Sequence, residues 1–282
     1  MGGAKLAVDG VAVIGEHGEY QRTARGNVMY PRARYFDAVT RVFQEDGRTL
    51  PLLNDKYLAY EWADARRMYE TVRARKIPFL CGSTLPLTWR RPPLEFAAGT
   101  QFDELLALSF SDLEEHAYHA IELLQAMAER RGETGVARVR YAEGEAAMRM
   151  TKPAVLDAAL RRRVNAVPRN ATGLPEAFEI EYRDGLRAVV LNLNAQTRDY
   201  VFAAQVRGVP EPQASCFYIQ LWVHNHWSFM VRAFEELVLT GRNPQPIERT
   251  LYANGIMLAG LESRLRKGEW VETPDLTLRY GP

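Results

Sequence analysis

The first third of the chain alternates short apolar runs with segments of helical periodicity. Three apolar runs are typical of buried parallel strands: residues 11–14, 50–53 and 77–81. Between them, apolar residues recur at helical spacing over residues 35–43 and 61–75, and Gly47 is placed to end the first helix. The order strand, helix, strand, helix, strand predicts a parallel sheet.

Prolines at positions 86, 92 and 93 interrupt this pattern, and the regular alternation of strands and helices ends there. The later part predicts strands at residues 105–110, 136–142, 178–182, 188–193, 201–206 and 216–223. Asp112 can cap a helix that runs to residue 131, and further helices are predicted over 154–163, 227–239 and 247–265. We therefore expect two domains, 1–90 and 91–282. The first is an α/β unit, and the second is an α+β unit with a mainly antiparallel sheet.

The composition is that of a globular protein, with 47% hydrophobic and 25% charged residues. The net charge is +1, so no global field would recruit nucleic acid or an anionic membrane surface. No apolar run approaches the roughly 20 residues of a membrane span, and Lys5 and Asp9 interrupt any N-terminal signal peptide. With two cysteines and no CxxC pair, the sequence predicts a cytoplasmic protein with reduced thiols and no metal.

Polar residues follow each of the three predicted parallel strands. In an open parallel sheet, chemistry lies just beyond the carboxyl ends of the strands. Those ends are Gly15-Glu16-His17, Asn54-Asp55-Lys56 and Gly82-Ser83-Thr84. They are therefore the first candidates for a functional site.

Three segments resemble the Gfo/Idh/MocA family of glucose–fructose oxidoreductase and inositol dehydrogenase. The family has Glu-Lys-Pro at a strand end, where this chain has Asp55-Lys56-Tyr57. The family pattern Asp-x-Gly-x-His-x-x-Asp is similar to residues 115–122, with Glu115, Ala117, His119 and Glu122 at its fixed positions. The segments 246–250, 262–264 and 272–274 are similar to the usual C-terminal tail.

The resemblance implies a partial Rossmann-like domain, hydride transfer between NAD(P) and a hydroxyl on a sugar- or cyclitol-like substrate, and a homo-oligomer. It implies catalytic roles for Lys56 and His119. The implied cofactor-binding residues are Glu16, His17, Asp55, Lys56 and Thr84. The implied substrate-binding residues are Arg90, Glu115, His119 and Glu122.

The glycine-rich turn that supplies backbone N–H groups to the cofactor's pyrophosphate has no counterpart in the sequence. Three explanations stay open: a misplaced gene start, a truncated chain, or loss of cofactor binding. We therefore expect this chain not to bind the dinucleotide tightly. The alternative functions are a cofactor-free sugar-binding or scaffold protein, and a lyase or isomerase that works without net redox change.

Each candidate residue also has an ordinary structural interpretation. Lys56 would then be a surface loop lysine, and His119 part of a solvated helix face. Glu16 and His17 would cap a helix, and Arg90 would pin the linker. We interpret His116 as structural and directed away from His119. The pair His224-x-His226 suggests two exposed imidazoles at a helix N-terminus.

Overall fold

A computed structural model describes residues 5–15, 18–132, 134–167, 169–194, 196–220 and 222–280. The first elements in the chain are β1 (Val11–Val13), α1 (Arg32–Asp46), β2 (Leu52–Asp55), α2 (Trp62–Arg75) and β3 (Phe79–Gly82). The three strands form a parallel sheet in the order β1-β2-β3, as the sequence predicts. The first helix ends at Gly47, which adopts the predicted left-handed conformation with φ of 67°.

A second, eight-stranded sheet is built from β4 (Arg90–Arg91), β5 (Phe102–Ser109), β6 (Val136–Glu143), β7 (Glu176–Tyr182), β8 (Arg187–Asn192), β9 (Tyr200–Val206), β10 (Gln213–Phe217) and β11 (Val271–Glu272). Their spatial order is β11-β6-β7-β8-β5-β9-β10-β4. Only the β5–β8 pair is parallel among these described strands, so the prediction of a mainly antiparallel sheet is confirmed.

The remaining helices are α3 (Glu115–Ala128), α4 (Gly144–Met148), α5 (Pro153–Leu160), α6 (Trp227–Thr240) and α7 (Ile247–Leu265). The Asp112 carboxylate accepts the backbone N–H groups of Glu114 and Glu115 at 3.0 and 2.7 Å, which confirms it as the cap of α3. Among the described residues, no helix has the length and hydropathy that a membrane span requires.

Both faces of the eight-stranded sheet carry helices. The central strand β5 is buried on both sides, with Leu105 and Ala107 in the core beneath α3 and α7. Leu106 and Leu108 pack on the opposite face, in the core that includes α5. A strand that is buried on both faces needs apolar residues at successive positions, which explains the unbroken apolar run over residues 105–108.

Helix α6, late in the chain, packs against the parallel sheet. Its Met230, Ala233 and Leu237 pack against Leu53 and Leu80, on the face opposite α1 and α2. The parallel sheet is thus covered on both sides, as buried parallel sheets require. The division into domains 1–90 and 91–282 stays a prediction, and two helices from beyond residue 90, α6 and α7, pack against the parallel sheet.

One predicted strand is displaced from its observed position. The apolar run at residues 216–223 suggests a strand, whereas β10 spans Gln213–Phe217. Its partner β9 begins at Tyr200, which pairs with Phe217, so the pairing with β9 ends at this residue. Trp222 and Val223 are instead 94% and 60% exposed.

Candidate active site

The carboxyl end of β2 delivers Lys56 in an unusual backbone conformation. Lys56 follows the last residue of the strand with φ of 65°, a left-handed conformation that an L-residue rarely adopts. It is held there by Gly82, because each residue donates its backbone N–H to the other's carbonyl at 3.1 Å. The Lys56 side chain is buried, with Nζ 3.0 Å from Asp55 Oδ2 and 4.7 Å from the centre of the Trp227 ring. An ammonium group is therefore fixed at the tip of a parallel strand.

His119 reaches the same region from α3. Its Nδ1 lies 2.7 Å from Ser83 Oγ, which also accepts the backbone N–H of Leu85 at 3.0 Å. The hydroxyl oxygen has a second lone pair, so it can also accept a hydrogen bond from Nδ1–H, and Nε2 of the neutral ring is then unprotonated. Withdrawal from bulk water, and then the Lys56 ammonium, lower the pKa of His119 well below its ordinary value. His119 is therefore neutral at neutral pH.

The two residues line one cavity of about 570 Å³, between the end of the parallel sheet, α3, and the start of α6. Its wall is mostly apolar and aromatic, with a few polar groups. This combination is typical of small-molecule sites. The lining residues are Ile14, Leu53, Asp55, Lys56, Thr84, Leu85, Phe110, Glu115, His116, His119, Tyr200, Ile219, His224, His226, Trp227, Met230 and Val231.

Every histidine that the structure describes contributes to this wall. The interpretation of His116 as directed away from His119 is wrong: it lines the same cavity, with Nδ1 3.0 Å from Asp112 Oδ2. The expectation of two exposed imidazoles is wrong for His226, which is only 7% exposed. Burial, and then the neighbouring His224, lower the pKa of His226 to about 4, so its ring is neutral as well.

Ligand atoms of Asp112, Glu115 and His116 lie within 4.8 Å of one another, a grouping that sequence spacing does not reveal. One Asp112 oxygen caps α3 and the other contacts His116. Glu115 accepts the Tyr30 hydroxyl at 2.5 Å. Bonds within the protein therefore account for this cluster.

No family model matches the sequence, and neither does any curated protein. Solved structures do match its fold. A myo-inositol dehydrogenase from Corynebacterium glutamicum aligns with 95% of this chain and 81% of its own, with a TM-score of 0.57 and 13% identity. For myo-inositol 2-dehydrogenase from Lactobacillus plantarum the coverages are the same, with a TM-score of 0.58 and 9% identity. GenD2 from gentamicin A biosynthesis, solved with NAD, aligns with 94% of this chain and 78% of its own, with a TM-score of 0.55 and 14% identity.

The chain has the fold of the Gfo/Idh/MocA dehydrogenases. The resemblance found in the sequence is thereby confirmed at the level of the fold, as is the combination of a small parallel sheet with a larger mixed sheet. In the Gfo/Idh/MocA fold described here, the cavity lies where the two sheets approach each other across α3.

Five of the predicted site residues meet in this cavity: Asp55, Lys56, Thr84, Glu115 and His119. The Thr84 hydroxyl is already engaged, because it donates to the backbone carbonyl of His226 at 2.7 Å. Glu16 and His17 lie outside the described residues.

Two predicted substrate-binding residues lie elsewhere in the Gfo/Idh/MocA fold. Arg90 donates to the carbonyl of Pro86 at 3.1 Å and packs over the Phe217 ring, which matches its alternative role in pinning the linker. Glu122 is fully buried behind the cavity wall, where its Oε1 accepts the Thr250 hydroxyl at 2.7 Å. The spacing of Glu115, His119 and Glu122 predicts that they share one helix face. It does not predict how deeply each side chain is buried.

The sequence does not predict the parts that Ser83, Tyr200 and Trp227 play in the site. Ser83 lies in a strand-end segment that the sequence singled out, and its contact with His119 makes it the residue that orients the ring. Tyr200 and Trp227 come from distant parts of the chain. No local pattern marks them, because they reach the site only through tertiary packing.

Proposed function

We propose that this protein is an oxidoreductase that transfers a hydride between NAD(P) and a hydroxyl-bearing carbon of a sugar- or cyclitol-like substrate. One observation carries the proposal: a lysine at a parallel strand end and a histidine from the adjoining helix line one cavity. Chemistry in open parallel sheets is located at these strand ends. The structures solved for myo-inositol dehydrogenases and for GenD2 with NAD share the fold and support the reaction class.

The described residues fit one end of the cofactor. Asp55, Lys56 and Thr84 offer charged and polar groups suited to a nicotinamide and its ribose. Residues 5–15 and 18–132 contain no glycine-rich turn between a strand and a helix N-terminus, so they do not account for the pyrophosphate. When bound, the nicotinamide ring would supply the hydride acceptor.

The protein's own residues would handle the proton. Neutral His119, with Nδ1 engaged by Ser83, presents Nε2 as the acceptor for the substrate hydroxyl proton. The Lys56 ammonium would stabilise the negative charge that develops on the same oxygen. The lowered pKa of His119 then favours return of the proton in the reverse direction. The aromatic rings of Tyr200 and Trp227 would shape the apolar side of the pocket.

The test is NADH formation from NAD⁺ with a panel of inositols and sugars, for wild type, Lys56→Met and Lys76→Met. Lys76 is an exposed lysine at the end of α2 and serves as the matched control. We expect Lys56→Met to lose at least about 100-fold in kcat, because it removes charge stabilisation of the reacting oxygen. Equal activity of Lys56→Met and wild type would exclude a role for this lysine in the chemistry.

A cofactor-free binding protein is the second candidate, favoured by the lack of a glycine-rich turn in the described residues. Titration with NADH, followed by its fluorescence, separates the two. Micromolar NADH binding would contradict the expectation that this turn matters. Sugar binding that Lys56→Met leaves intact, without any turnover by wild type, would favour the binder. A homo-oligomer and a cytoplasmic location stay predictions.

A further inference from the structure

The turn at the end of β3, residues 82–84, organises the cavity wall, since each of its three residues engages a different cavity residue. Gly82 forms the reciprocal backbone pair with Lys56. Ser83 contacts the His119 ring, and Thr84 donates to the backbone of His226. Any movement of this turn would therefore disturb the Lys56 backbone, the His119 ring and the His226 backbone together.

This turn is supported from behind by Glu122 of α3 and Thr250 of α7. Both side chains are fully buried, and Thr250 Oγ1 donates to Glu122 Oε1 at 2.7 Å. They approach Gly82 so closely that a Cβ on this glycine would lie 2.5 Å from Glu122 Oε1 and 2.6 Å from Thr250 Oγ1. Gly82 also has φ of 109°, a conformation that side-chain-bearing residues rarely adopt. The Glu122–Thr250 pair therefore packs against Gly82 and prevents its backbone from moving towards α3 and α7.

We propose that Glu122 is a positioning residue, which together with Thr250 fixes Gly82 and, through the Gly82–Lys56 backbone pair, the Lys56 ammonium. The role is distinct from the substrate contact that the sequence suggests for Glu122, because the cavity wall does not include its carboxyl group. Its consequence for catalysis rests on the proposed function, whereas the positioning itself does not.

The charges around Glu122 are consistent with this role. Burial, the largest cause, raises the pKa of Glu122 to about 7. Tyr118, Thr250 and Arg249 act in the opposite direction, and Glu129 adds to the rise. The Cys81 thiol, on β3 against the same group, is buried with a raised pKa and stays neutral. Glutamine has nearly the shape of a protonated Glu122 and keeps a carbonyl oxygen that can accept the Thr250 hydroxyl, so Glu122→Gln preserves the support below neutral pH.

Lysine labelled with carbon-13 at Cε provides a test that needs neither substrate nor cofactor. The chain has five lysines, and the Lys56 signal is assigned by its loss in Lys56→Met. The Trp227 ring lies 4.7 Å from Nζ, so its ring current displaces the Lys56 ε-methylene signal from those of exposed lysines. At about pH 6, below the raised pKa, we expect Glu122→Gln to keep this displacement and Glu122→Ala to lose it.

Two further variants keep the test decisive. Thr250→Val removes the hydroxyl at constant shape and is expected to shift the Lys56 signal in the same direction as Glu122→Ala. If Glu122→Ala does not fold, Thr250→Val provides the test in its place. Glu104→Ala is the matched control, because Glu104 accepts the Thr151 hydroxyl at 2.6 Å in another buried Glu–Thr pair, remote from the cavity lining.

We expect the Lys56 signal to be unchanged in Glu104→Ala. An unchanged Lys56 signal in folded Glu122→Ala or Thr250→Val would overturn the proposal, and so would an equal shift in Glu104→Ala. Because the spectra are recorded without ligand, a failure of the proposed oxidoreductase activity leaves this result interpretable on its own.

Discussion

Replacing Glu122 with glutamine should make the folded protein more stable at high pH. The carboxyl group is fully buried, and its pKa is raised from 4.5 to about 7. The folded state therefore binds this proton more tightly than the unfolded chain does. Stability from this group is complete below pH 4.5 and is lost as the pH rises through 7. Glutamine cannot ionise, so the variant avoids this loss.

The size of the effect follows from the shift itself. One pKa unit corresponds to about 1.4 kcal/mol, so ionising Glu122 in the folded state costs about 3 kcal/mol relative to the unfolded chain. Urea unfolding followed by tryptophan fluorescence, at about pH 4.5 and about pH 8.5, measures this difference directly. Other groups, His119 included, titrate in both proteins. Their contributions cancel when the variant is compared with wild type at each pH.

We expect the difference in free energy of unfolding, Glu122→Gln minus wild type, to increase by about 3 kcal/mol from about pH 4.5 to about pH 8.5. A difference between the two proteins that stays constant across this range would refute the reasoning. It would mean that Glu122 ionises as readily in the folded protein as in the unfolded chain. Equal slopes of the unfolding free energy against urea are required for the comparison, since they show that the two proteins expose similar surface on unfolding.

Two other substitutions test the same part of the structure. Gly82→Ala should cost at least about 2 kcal/mol in urea unfolding, because it combines positive φ with a Cβ contact to Glu122. Gly208→Ala is its control, since Gly208 has φ of 79° but no atom near an added Cβ, and should cost only about 1 kcal/mol. Lys56→Met should raise the pKa of His119, measured by proton NMR titration. The value should stay below its ordinary level because burial persists, and an unchanged pKa would mean that the ammonium lies too far away to act on the ring.

Local patterns in the sequence predicted the elements well because these elements depend on local periodicity and capping. The three parallel strands, the end of α1 at Gly47 and the Asp112 cap of α3 are of this kind. The packing of α6 on the parallel sheet was not predictable, because it joins segments more than 140 residues apart. The displaced strand β10 has the same origin, since its end is set by the length of its partner.

The site shows the same division between local and tertiary information. Strand-end position placed Asp55, Lys56 and Thr84 in the cavity wall, because parallel strands end at one edge of a sheet. Helical spacing put Glu115, His119 and Glu122 on one face, but the structure separates them by depth. Residues one turn apart on a helix point in the same direction. Whether each side chain is buried or lines the cavity depends on the elements packed against that part of the helix.

Electrostatics gives Lys56 and His119 separate tasks. A cationic imidazole and an ammonium facing the same cavity would repel each other, and both would be poorly solvated there. Asp55 lies 3.0 Å from Lys56 Nζ and compensates the charge on the lysine, whereas Ser83 offers His119 only a neutral hydroxyl. The imidazole therefore stays neutral beside the ion pair of Asp55 and Lys56. A neutral base beside a fixed positive charge is what removal of a hydroxyl proton requires, since the base takes the proton while the cation stabilises the oxygen that loses it.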